Sequence, residues 1–279
     1  MNFIHSIQSH LPAFAQSVLR LCVWLVLLSV IFVPLERFFA VRRGHAPRAA
    51  VASDLAYYFI SSLLPALLLS IPLSMLAVGA HYLIPAALPA TLGALPLAAK
   101  LALAFVVGEA GFYWGHRLSH EIPWLWRFHA IHHSPEHMYF LVNTRSHPVD
   151  SVVTRLFGMV PLYLLGLAGP SAAGSAAPAA LIVLGTVWGF FIHSNLRVRL
   201  GALEWLIATP GFHHWHHSRV DHINRNYASM LPLFDKLFGT LYLPREWPSA
   251  YGTDTPQAPT LAGQLIEPLR PAAARARTQ

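Results

Sequence analysis

Apolar and polar residues fall in long blocks along this chain. Five stretches carry few or no charges: residues 18–35, 55–78, 99–113, 149–167 and 178–192. A bilayer core about 30 Å thick takes about 20 apolar residues of helix, so the pattern predicts an all-α membrane protein of four to five transmembrane helices. The first stretch holds Arg20 near its start and runs into Glu36-Arg37-Phe38-Phe39, a poor cleavage context, so a retained anchor is expected rather than a signal peptide. Pro65 and Pro72 lie inside the second, which a membrane helix tolerates where neighbours satisfy the freed carbonyls. The third is short but continues into polar sequence, as if one helix ran out of the bilayer. Residues 79–98 read as an uncharged loop and 169–175 as a turn. Residues 114–147 and 197–245 are too polar to span and are expected to form one helical cap, completing a single domain over 1–245. Residues 246–279, rich in Pro, Ala and Thr, read as a partly mobile tail.

Composition agrees with the pattern: 55% of residues are hydrophobic, 11% are charged, and mean hydropathy is +0.47. The net charge of +7 does not signal nucleic acid, because the basic residues are dispersed and flank the apolar blocks. Of the 19 Lys and Arg, all but Arg20 and Lys100 fall in residues 36–54, 114–155 and 197–279. Five crossings place those three regions on one side, which the positive-inside rule makes cytoplasmic; in a bacterium the membrane would be the inner one. The lone Cys22 forms no internal disulfide and leaves thiolate out of any metal site.

The polar blocks hold most of the 17 histidines. His116 and His120 stand at i and i+4; His129, His132 and His133 at i, i+3 and i+4; and His213, His216 and His217 repeat the triplet. On a helix such positions share a face, so each block can aim its imidazoles at one point. His147 and His193 stand singly between blocks. A tetrahedral zinc takes at most four protein ligands, so this many nitrogens favours two metals, and imidazole suits iron, zinc or copper. His5, His10, His45 and His81 repeat no spacing and read as structural or surface residues. Metal-bound imidazoles normally donate their second N–H to an acceptor, which makes Glu109, Glu136, Asp150 and Asp235 the carboxylate candidates around the ligands.

The ordered set His116-Arg117-Leu118-Ser119-His120, His129 through Ser134, Arg145-Ser146-His147-Pro148, His193, Thr209-Pro210-Gly211-Phe212-His213, His216-His217, Asn226-Tyr227 and Phe238-Gly239-Thr240 resembles the fatty acid hydroxylase and sterol desaturase superfamily. The resemblance implies an integral membrane oxygenase with two iron ions, which zinc can replace in purified protein, using O2 to hydroxylate or desaturate a lipid. It implies ligand roles for His116, His120, His129, His132, His133, His193, His213, His216 and His217, with His147 as a tenth. His137, His214 and His222 fall at variable positions, where surface roles are expected. Some relatives carry a second His four residues before the lone one; here that position is Gly189, which His147 is expected to compensate. No flavin, haem or fused cytochrome motif is visible, so electrons are expected from a separate reductase.

Two other classes combine histidine with membrane helices. A metal transporter places its ligands within the spans near the midplane, whereas these blocks lie just outside them. A membrane zinc hydrolase wants a carboxylate base beside its ligands, and no HExxH occurs. The sequence leaves open the lipid (sterol, fatty acyl, ether lipid or carotenoid), the choice between hydroxylation and desaturation, and the oligomeric state.

Overall fold

A computed structural model describes residues 12–168, 177–220 and 224–270. Among these residues there are helices and no strands, apart from two isolated bridges, Ala40 with Leu196 and Ser218 with Tyr251. Three helices are long and apolar enough to cross a membrane: α1 (Ala13–Phe39), α2 (Arg48–Leu83) and α4 (Leu97–Glu121). α2 runs unbroken through Pro65 and Pro72 and, at about 1.5 Å per residue, is about 54 Å long. The stretch expected to be a loop at 79–98 is largely helical: α2 continues to Leu83, and the short helix α3 (Ala87–Gly93) fills most of the rest. α4 carries its helix from apolar sequence through His116 and His120 without a break, as the pattern predicts.

The cap side begins with α5 (Pro123–His133) and a 3-10 turn at Phe140–Thr144. The last two apolar blocks form α6 (Pro148–Leu164) and α7 (Ala177–His193), each 17 residues and so about 26 Å long, short for an untilted crossing. The expected turn at 169–175 lies outside the described residues. A 3-10 turn at Gly201–Trp205, α8 (Pro210–His216) and α9 (Leu233–Leu237) punctuate an otherwise irregular segment, followed by α10 (Leu261–Ile266). The expected helical cap is therefore mostly loop after residue 197. Residues 246–270 fold against it: the Glu246 carbonyl accepts from Trp215 Nε1, Tyr251 is buried, and the Leu265 carbonyl meets His147.

α6 packs along α4 and α2, while α7 packs on α4, α8 and the Phe140–Thr144 turn. The α4–α6 approach is possible because Gly111 and Gly115 present no side chain; a Cβ on Gly111 would run into the Phe157 carbonyl oxygen. Where helices meet cap, Leu28 and Phe32 of α1, Tyr58 of α2, Phe140 and Phe190 form one buried cluster. Phe32 stacks on Phe140 with centroids 5.5 Å apart, an arrangement contributing about 0.5–1.5 kcal/mol beyond area burial. Two acids anchor the junction. Glu36 accepts from the backbone amides of Phe140 and Asn195 at 2.7 and 3.0 Å, and Asp54, fully buried in α2, takes Arg145 and the Tyr139 hydroxyl. Removing either member of the Asp54–Arg145 pair would strand a buried charge at a cost of about 3–5 kcal/mol.

Candidate metal centre

Four helix ends deliver the histidines to one place. α4 supplies His116 and His120, α5 supplies His129, His132 and His133, α7 ends on His193, and α8 with its C-cap supplies His213, His216 and His217. All nine are buried, and they divide into two groups. His116, His120, His129, His133 and His216 form one; His132, His193, His213 and His217 form the other, with ligand atoms in each lying within 4.8 Å of one another. The triplets therefore do not aim at single points. A residue at i+4 lies about 40° round the helix from i, and one at i+3 about 60° the other way. Each triplet thus keeps its i and i+4 members together and sends its i+3 member, His132 or His216, to the neighbouring group. The groups adjoin, His133 stacking on His217 with centroids 4.4 Å apart.

The ring nitrogens are arranged for cations. His116 Nδ1 donates to the Tyr227 carbonyl at 2.6 Å and His129 Nδ1 to Asp150 Oδ1 at 2.9 Å, because these oxygens only accept. Each neutral ring then has a bare lone pair on Nε2, yet the two Nε2 atoms face each other at 3.1 Å. The second group repeats the arrangement. His132 Nδ1 donates to the Arg145 carbonyl and His193 Nδ1 to the Gly189 carbonyl, leaving their Nε2 atoms 3.2 Å apart. Two opposed lone pairs cannot hydrogen-bond; a shared metal ion makes the contact favourable. Nitrogens about 2.0–2.1 Å from one ion lie about 3.0–3.4 Å apart, close to the 2.9–3.2 Å among His193, His213 and His217. His120 Nε2 and His216 Nε2 are buried without a hydrogen-bond partner, as lone pairs suited to ligate an ion are. Burial pulls the pKa of His132 down to about 4, and those of His133, His213, His216 and His217 well below the usual imidazole value, with neighbouring imidazoles pushing the same way. These five rings are therefore held neutral, the form that ligates.

Of the four candidate carboxylates, Asp150 alone touches a histidine of either group. Its other oxygen accepts from Ser146 Oγ at 2.9 Å, fixing it for His129. Asp150→Ala is expected to lower metal affinity or activity about 10–100-fold, the usual cost of losing a carboxylate behind a metal-bound imidazole, whereas Glu136→Ala leaves both unchanged. Titrating apo protein of each variant with metal checks the contrast. Glu136 is exposed, 3.8 Å from Arg219. Glu109, about two turns before His116, instead accepts from the amides of Met230 and Leu231 at 2.7 and 3.1 Å. Asp235 works at one remove: it accepts from the amides of Tyr227 and Ala228 and from Thr240 Oγ1, holding the segment whose Tyr227 carbonyl takes His116. Asn226, at a φ of 57°, ties the same segment to the Phe212 carbonyl and to Tyr242, giving Asn226-Tyr227 and Phe238-Gly239-Thr240 a structural meaning.

His147 is not brought to either group. It is the N-cap of α6, its Nδ1 accepting from the Val149 amide at 3.1 Å and its Nε2 donating to the Leu265 carbonyl at 3.0 Å. Nor is the space beside Gly189 open to it, since a Cβ there would lie 2.6 Å from Asn143 Oδ1. Accordingly His147→Ala is expected to leave metal content unchanged while costing about 0.5–2 kcal/mol as a lost helix cap, which metal analysis beside thermal denaturation measures. His214, expected at the surface, is fully buried between the Tyr251 hydroxyl and the Ser194 carbonyl at 2.8 and 2.9 Å, and burial lowers its pKa to about 3. His137 is exposed, and His222 lies outside the described residues. No spacing or motif pointed to Asn224, whose side chain meets His120 Nδ1 at 3.3 Å, or to the Arg225 carbonyl that takes His216 Nδ1 at 2.8 Å.

Comparison with known proteins places these residues in context. Ornithine lipid hydroxylase OlsE of Rhizobium tropici is 38% identical over 149 residues, covering 53% of this chain and 43% of its own. Alkylglycerol monooxygenases of Danio rerio and Xenopus tropicalis are 36% and 32% identical over 157 and 155 residues, each match covering 55% of this chain and 33% of theirs. The chain thus spans less than half the length of these relatives. No solved structure matches it. The family model described as fatty acid hydroxylase matches residues 101–240, a range enclosing all nine clustered histidines, and the chain belongs to that family.

Proposed function

We propose that this protein uses O2 to hydroxylate or desaturate a lipid-like substrate at a centre of two iron ions held by nine histidines. The facing Nε2 lone pairs, one such pair in each histidine group, carry the reading. His116, His120, His129, His133 and His216 would hold one ion, and His132, His193, His213 and His217 the other. Bound iron would supply the O2 activation that side chains cannot perform. The chain's own share is to keep the imidazoles neutral, to fix their Nδ1 protons on Asp150 and on the carbonyls of Tyr227, Arg145, Gly189 and Arg225, and to exclude bulk water. The relatives' names, an ornithine lipid hydroxylase and alkylglycerol monooxygenases, support an amphiphilic substrate and favour oxygen insertion.

Five crossings are proposed, with α6 and α7 as the short ones and the centre facing the cytoplasm; the basic residues flanking α1, α2, α4 and α7 on the cap side support this. Electrons would come from a separate reductase. The test is iron-loaded protein in bilayers supplied with a chemical reductant and a lipid panel, with O2 uptake and product mass followed together. Uptake coupled to a lipid product 16 mass units heavier or 2 lighter is the expected outcome, a balance fixed by oxygen insertion or loss of two hydrogens. Full activity at one metal per chain, or activity confined to water-soluble compounds, would overturn it.

A further inference from the structure

A cavity of about 1000 Å3 lies between α1, the first turns of α2 and the Glu136–Leu141 stretch of the cap, and none of the nine clustered histidines lines it. Its wall on α1 is formed by Leu25, Ser29, Val33 and Arg37, spaced every fourth residue, together with Glu36 beside Arg37. Over those positions, about 18 Å of helix, the wall changes from apolar to cationic. Val51, Leu55 and Phe140 complete the apolar lining. Toward the loop that joins α1 to α2, Arg43 and His45 join Arg37.

The charges at this mouth are not balanced from within. Arg42 is committed to the cap, donating to the Pro248 carbonyl and lying over the Tyr251 ring at 4.5 Å. Glu36 is likewise taken up by the Phe140 and Asn195 amides, and Glu136 leans toward Arg219. Arg37 and Arg43 are exposed, and neither has an ion-pair partner among the described residues. A slot with an apolar stretch and two unpaired arginines at one end, the carboxylates of Glu36 and Glu136 being engaged elsewhere, is complementary to an anionic amphiphile.

We propose that this slot binds an amphiphile with an anionic headgroup, its phosphate or carboxylate on Arg37 and Arg43 and an alkyl chain laid along Leu25, Ser29 and Val33. Guanidinium groups suit either anion through paired N–H donors. The site is distinct from the histidine centre and stands whether or not that centre oxidises the bound molecule.

The test uses the full, metal-loaded chain in an uncharged detergent, titrated with single-chain probes and read by native mass spectrometry. Lysophosphatidate and oleate are expected to bind at one per chain, about 10–30-fold more tightly than lysophosphatidylcholine, as two arginines near a lipid headgroup predict. The double variant Arg37→Gln/Arg43→Gln should bring the anionic probes to the lysophosphatidylcholine level. Ser29→Trp, which fills the apolar part, should weaken every probe, and inorganic phosphate alone should not compete. A preference for lysophosphatidate over oleate assigns the site to phosphate, and equal binding assigns it to anionic charge. Metal content unchanged in the variants shows that the fold and the histidine centre survive. Equal affinity for lysophosphatidylcholine, or anionic binding undiminished in the double arginine variant, overturns the proposal.

Discussion

His193→Ala is expected to abolish turnover and to lower bound metal from two ions per chain to about one. His193 Nε2 lies 3.2 Å from that of His132 and 2.9 Å from that of His213, so it links two members of the four-histidine group. His193 is one of four nitrogens in its group and the neighbour shared by His132 and His213, so its loss should weaken the hold on that ion and lead to partial metal loss on purification. The five-histidine group, which His193 does not join, should keep its ion. His132→Ala should behave in the same way, while His120→Ala leaves four histidines in the other group and should cost less metal. His214→Ala is the control: it orphans the Tyr251 hydroxyl and the Ser194 carbonyl and so lowers thermal stability, but His214 belongs to neither histidine group and metal content should not change. Metal analysis of the purified variants measures the contrast, and a His193→Ala protein with two ions and normal turnover would remove the four-histidine group from the mechanism.

That control also shows where the sequence was informative. Spacing alone singled out the three histidine blocks, because helical geometry is local and i, i+3 and i+4 positions must lie near one another. The split into groups of five and four was not legible, since it depends on how α4, α5, α7 and α8 meet. For the same reason His214, which breaks the spacing, read as a surface residue although the cap closes over it, and the single His147 read as a ligand although its next residue, Pro148, starts a helix that it caps. Carboxylates were harder still. Glu109 and Asp150 look alike beside their histidine blocks, but one anchors a loop 121 residues away and the other orients His129. Asp54 and Glu36 belong to no spacing pattern, yet both tie the helices α1 and α2 to the cap.

The glycines of α4 were also silent in the sequence, and they carry the second large expectation. Gly111→Ala should destabilise the protein far more than Gly108→Ala, although the two residues are one turn apart on the same helix. At Gly108 an added Cβ meets only Leu162 Cδ1 at 3.6 Å, an ordinary contact with a side-chain tip. At Gly111 it would run into the Phe157 carbonyl oxygen and lie 3.1 Å from Gly158 Cα, both backbone of α6, which cannot swing aside as a side chain can. The helices must separate, at a cost of at least the roughly 1–3 kcal/mol typical of overpacking. The separation reaches the metal centre, because α4 carries His116 and His120 while α6 carries Asp150, the acceptor for His129 on α5. Gly111→Ala should therefore lose metal as well as stability, and Gly111→Leu should fail to yield folded protein. Thermal unfolding and metal content of the two alanine variants, purified side by side, decide the matter. Equal melting temperatures and equal metal would mean that α4 and α6 do not approach this closely and that the path from helix packing to the histidine centre runs elsewhere.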